Sequence, residues 1–97
     1  MNNETELAKK IDSAKQAETI VNHPLFIASL GTLRELTVER FEGLGFEDTL
    51  GMQECNVRLN LIEEFENNLL TVIQSGNAAF SELESIQTFQ QELNDER

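Results

Sequence analysis

The sequence predicts an all-α protein, an antiparallel helical hairpin with a short N-terminal helix and one long C-terminal helix. Three observations predict it. Apolar residues recur at steps of three and four in three separate stretches. Two clusters of helix-stopping residues, Asn22-His23-Pro24 and Gly43-Leu44-Gly45, separate those stretches. From Met52 to Leu93 one apolar stripe keeps a single register, with Met52, Leu59, Ile73 and Phe80 at heptad position a, Cys55, Ile62, Leu69 and Leu83 at d, and Phe65, Val72, Ala79, Ile86 and Leu93 at g. A face that wide is expected to be buried on both flanks, and it marks the chain as a helical association module.

The first helix is expected over about 5–21, where Leu7, Ile11, Ala14, Ala17 and Val21 alternate with Lys and Glu. Asn22-His23-Pro24 sets a capping side chain ahead of a proline, which stops one helix and starts the next; a kinked but continuous helix is the rival reading. The second helix is expected over 24–42, burying Phe26, Leu30, Leu33, Leu36 and Phe41 and ending at Gly43. Gly43-Leu44-Gly45-Phe46-Glu47 is the clearest loop, with Leu44 and Phe46 expected to fold inward and Asp48 or Thr49 to cap the third helix. Gly51, in the first turn of that helix, weakens its start slightly.

Ser75-Gly76-Asn77 would divide the acidic half by a local reading. However, Leu69, Ile73, Gly76, Phe80 and Leu83 hold one a/d phase across the glycine, whereas a loop would normally reset it. The phase predicts one helix over 48–93, bent at Gly76 if anywhere, with the missing side chain admitting another helix closely. Asn94 to Arg97 are expected to fray. The second helix would span about 28 Å of a third helix of about 65 Å. The first helix covers part of the rest, which leaves Phe80 to Leu93 to a second copy or another protein.

Ninety-seven residues make a single domain, and with no Trp or Tyr its core must come from Leu, Ile, Val and six Phe. One cysteine, Cys55, forms no internal disulfide and has no second thiol for a zinc site, which fits a reducing interior. The Met-Asn-Asn-Glu-Thr-Glu start lacks the features of a signal peptide, and no stretch reaches the roughly 20 apolar residues of a membrane span.

The net charge of -11 is unevenly spread: residues 41–97 hold twelve acids against Arg58 and Arg97. Such a surface repels phosphate backbones and anionic lipid, so neither nucleic acid nor membrane is expected as a direct partner, and a basic protein is.

Few residues could carry chemistry. In Glu63-Glu64-Glu66, Glu63 and Glu64 face solvent, while Glu66 falls on the stripe at a, where Arg34, Arg40 or Lys15 would pair with it and fix register. His23 reads as a cap and Cys55 as a small buried apolar residue. No nucleotide loop, Rossmann fingerprint or EF-hand loop occurs, so the chain reads as a non-enzyme without cofactor or metal. Val57, Leu61, Leu70 and Phe89, with Ile27 and Val38, lie off the stripe and extend the apolar surface beyond one hairpin.

Two segments, Ala17-Glu18-Thr19-Ile20-Val21-Asn22-His23-Pro24-Leu25-Phe26 and Val72-Ile73-Gln74-Ser75-Gly76-Asn77-Ala78-Ala79, resemble a group of small phage and prophage proteins over about residues 14–86. There an A-E-x-hydrophobic-hydrophobic-x-x-P-L-F segment leads into a helix, and a second long helix carries V-I-x-x-G-x-x-A near its end. The resemblance implies a small helical phage protein of a kind commonly without assigned function, carried among head or packaging genes. It also implies a third helix continuous through Gly76, and the cytoplasm of an infected bacterium or the virion as its location. The chain departs from the pattern at Gly43-Leu44-Gly45-Phe46, which replaces a longer polar turn.

The expected role is therefore a phage interaction or assembly protein that forms a homo-oligomer and binds a larger protein. Leu61, Leu69, Ile73, Gly76, Phe80, Leu83, Ile86 and Phe89 are the expected contact residues, and Glu54, Glu63, Glu64, Glu82, Glu84 and Glu92 the acidic face. The alternative is an acidic inhibitor that imitates nucleic acid toward a host DNA- or RNA-binding protein.

Overall fold

The structure, a computed structural model, describes residues 3–96. The described chain is all-helical: α1 spans Asn3–Val21, α2 Pro24–Glu42 and α3 Thr49–Asp95.

Local chemistry accounts for each boundary. Pro24 drives its predecessor out of the helical region, and His23 is extended at φ -72°, ψ 126°. The break between α1 and α2 is therefore real and not a kink. His23 then caps α2: its Nδ1 accepts from the Leu25 N–H at 3.1 Å, and its carbonyl accepts from Ile27 N–H at 3.1 Å. Gly43 ends α2 with φ -82°, ψ -6°, a conformation open to any residue, so it stops the helix without a left-handed turn. Asp48 caps α3, its Oδ1 accepting from Gly51 N–H at 2.8 Å. A Cβ on Gly51 would lie 2.8 Å from that same oxygen, so Gly51, expected only to weaken the helix start, makes room for its cap.

α3 passes through Ser75-Gly76-Asn77 without interruption. It also continues beyond the expected fraying point: Asn94 and Asp95 are helical, and Glu96 N–H reaches Glu92 O at 3.2 Å. The C-terminal Arg97 lies outside the described residues.

The chain divides into two compact units, one holding Ile20–Asn68 and the other joining the stretch up to Thr19 with that from Leu69 on. In the second of these, α1 packs on the C-terminal half of α3. Leu7, Ala14 and Ala17 are buried and Ile11 is half-buried, facing buried Gly76 and Ala79 and half-buried Leu69, Val72, Ile73, Leu83 and Ile86. Small residues on both sides bring the backbones together, for a Cβ on Gly76 would lie 2.1 Å from Ala14 Cβ and 2.9 Å from Lys10 O. The close approach expected at Gly76 is thus made by α1. At the far end Gln90 Nε2 donates to Glu4 Oε1 at 3.4 Å, so α1 lies along most of the stretch expected to need an outside partner.

In the other unit α2 packs on the N-terminal half of α3. Leu30, Thr37 and Cys55 are buried; Phe26, Leu59 and Ile62 are half-buried, with the Phe26 and Phe65 rings 5.9 Å apart. Leu33, Leu36 and Phe41, expected in the core, are exposed. The covered arc runs through Phe26, Leu30 and Thr37, while Leu33 and Leu36 border the open groove beside it. Thr37 enters that arc because its Oγ1 donates to Leu33 O at 2.8 Å, which satisfies the hydroxyl. Leu44 is half-buried as expected, but Phe46 is fully exposed.

Gly76→Ala should lower stability by about 1–3 kcal/mol in a urea melt, because overpacking outweighs the gain in helix propensity; adding Ala14→Gly should restore part of it. A Gly76→Ala chain that melted above the parent would refute the close approach. Asp48→Ala should cost about 1 kcal/mol and Asp48→Asn little in the same assay.

Candidate interaction surfaces

The described residues hold a thin core and a large apolar exterior. Unit Ile20–Asn68 exposes Leu25, Ile27, Leu33, Leu36, Leu50, Val57, Leu61 and Phe65 among others, whereas the α1 unit exposes Leu70, Phe80, Phe89 and Leu93. Of the expected contact residues, Leu61, Phe80 and Phe89 are open to solvent. Leu69, Ile73, Leu83 and Ile86 are half-buried and Gly76 is buried. Those five lie in the unit in which α1 packs on α3, and four of them keep part of their surface open. Leu33 and Leu36 are surface residues that sequence reading placed in the core. Their signal was available only by asking how wide an arc one neighbour covers.

Two shallow hollows border the exposed apolar residues. In unit Ile20–Asn68 an open groove of about 330 Å³ lies between the helices, lined by Leu33, Leu36, Thr37, Arg58, Leu61 and Ile62. In the α1 unit Ser81, Glu84, Ser85, Thr88, Phe89 and Glu92 border a second, more polar hollow.

The acidic residues separate into paired and free-standing groups. Glu54 is held between two arginines, accepting from Arg40 Nη2 at 3.1 Å and from Arg58 Nη2 at 2.8 Å. Glu66 on the α3 stripe pairs with Arg34, one of the three partners its register allowed. Glu63, Glu64, Glu82, Glu84 and Glu92 are exposed. Among the described residues no cluster of three or more His, Cys, Asp or Glu could hold a metal ion, and no helix is long and apolar enough to cross a membrane. Cys55 is a free thiol within the core.

Compared with protein-family models, curated proteins and solved structures, the chain matches none.

Arg34 and Glu66 are each more than a third exposed on their side chains, so solvent screens their pairing. A double-mutant cycle with Arg34→Met and Glu66→Gln should give a coupling of about 1 kcal/mol or less, falling as salt rises. A larger, salt-independent coupling would mean that the pair is desolvated by something further.

Proposed function

We propose that this protein is a non-enzymatic helical interaction module of phage origin, which self-associates and binds a larger protein in particle assembly or as an adaptor. The observation that carries the reading is the ratio of exposed to buried apolar side chains. Among the described residues sixteen large apolar side chains are exposed while six apolar residues are buried. Two-helix units this thin gain from further burial of such side chains.

The fold we propose for it is an antiparallel hairpin, supported within each unit by its own contacts. Arg34 with Glu66 and Arg40 with Glu54 rise along α2 as they fall along α3, and Glu4 with Gln90 and Ala14 with Gly76 do the same for α1. Apolar contact supplies affinity, and the exposed acids select a basic partner and repel nucleic acid. Phe80, Phe89 and Leu93, interspersed with Glu82, Glu84 and Glu92, suit a basic amphipathic segment of that partner. The phage setting rests on the resemblance at residues 17–26 and 72–79. The nucleic-acid-mimic alternative loses one of its six acids, because Glu54 is neutralised by two arginines.

Light scattering behind size exclusion should give a mass above that of the 11.0-kDa chain. The assembly should persist in high salt, since apolar contact is not screened. A monomer at both low and high salt, at concentrations of tens of micromolar, would overturn the self-association reading.

A further inference from the structure

We propose that the groove face of unit Ile20–Asn68 is a two-fold interface with a second copy of this chain, centred on Leu61. The proposal rests on the self-association reading above and names the surface that performs it.

The face is continuous across both helices. On α2, Leu33 and Leu36 line the groove, and Leu25, about three turns before Leu36, falls on the same side of the helix as Leu36; on α3, Leu61 lines the groove, with Val57 and Phe65 four residues to either side of it. All six are about half exposed or more, from Leu33 at 50% to Leu25 at 68%. Each leaves on the order of 100 Å² open, so two copies joined here would bury roughly 1,200 Å², the size at which specific interfaces begin.

The pattern along α3 points to a second copy as the occupant. In an isologous contact of antiparallel helices about Leu61, each residue before the axis meets the one equally far beyond it on the partner. Leu61 then meets its own equivalent, Val57 meets Phe65, and Arg58 meets Glu64, so that apolar faces apolar and cation faces anion on both sides. Arg58 is already turned toward this face: it lines the groove as its only charged residue and is braced by Glu54. Charge favours the same place. Unit Ile20–Asn68 holds nine acids against three arginines, yet two of those arginines, Arg40 and Arg58, stand here around a single acid, Glu54. Within this unit, two acidic chains repel each other least along this strip. The resulting association of two helical pairs has the architecture of a four-helix bundle.

The test compares the wild type with Leu61→Glu, Leu61→Ala, Leu61→Cys, Phe89→Glu and Phe89→Cys. Leu61 and Phe89 are 58% and 61% exposed, so neither site supports the fold, which circular dichroism checks. The wild type should be a dimer by light scattering, Leu61→Glu a monomer of unchanged helicity, and Phe89→Glu a dimer. Leu61→Ala should raise the dissociation constant about tenfold, which decides the matter if Leu61→Glu fails to fold. Under mild oxidation Leu61→Cys should form a covalent dimer and Phe89→Cys should not; native Cys55, 0% exposed, does not interfere. A wild-type dimer that survives Leu61→Glu, or is lost in Phe89→Glu, overturns the Leu61 interface and leaves self-association standing. A wild-type monomer overturns both.

Discussion

Each half of α3 has one helix against it, and one neighbour can cover only one arc of a helix. From that constraint come the thin core, the exposed leucines and phenylalanines, and the use of small residues at the seam. With so little area to bury, α1 gains contact by coming closer. Ala14, Ala17, Gly76 and Ala79 let the two backbones approach until a single added methyl at Gly76 would overlap Ala14. In the other unit α2 keeps larger side chains, Leu30 and Phe26, and the buried positions also include Thr37 of α2 and Cys55 of α3.

The boundaries were legible because each rests on chemistry confined to a few residues. Proline forbids a helical His23, and Asp48 offers its carboxylate to an N–H three positions on. The continuity of α3 through Gly76 was legible for a different reason, since phase is a property of the whole stripe and survives a locally weak residue. The glycine there costs helix propensity and repays it in packing distance. Gly51 does something similar on a smaller scale by leaving space for the Asp48 carboxylate.

What the sequence concealed was which neighbour takes which face. A stripe at a, d and g says only that a partner exists. Leu83 and Ile86 are half-buried in the unit where α1 packs on α3 and reaches as far as Gln90. The same gap misplaced Leu33, Leu36 and Phe41: apolar spacing on α2 is broader than the arc α3 covers, and hydropathy ranks leucine above threonine for a buried position. Thr37 takes that position because it lies on the covered arc and because the helix supplies its hydroxyl with a carbonyl. Glu66 shows the opposite case, an acid on the stripe whose pairing was expected because no apolar partner could satisfy it.

Charge decides how such a surface can be used. Apolar side chains alone would make every exposed flank equally adhesive, and the chain would associate without order. Exposed acids at Glu63, Glu64, Glu82, Glu84 and Glu92 make approach costly wherever no cation stands opposite. Arg40 and Arg58 relieve that cost beside the groove lined by Leu33, Leu36 and Leu61. Phe80 and Phe89 have no arginine or lysine within four residues along α3. A basic partner brings its own cations to the second surface, whereas a second copy of an acidic chain brings few, so the two surfaces favour different occupants.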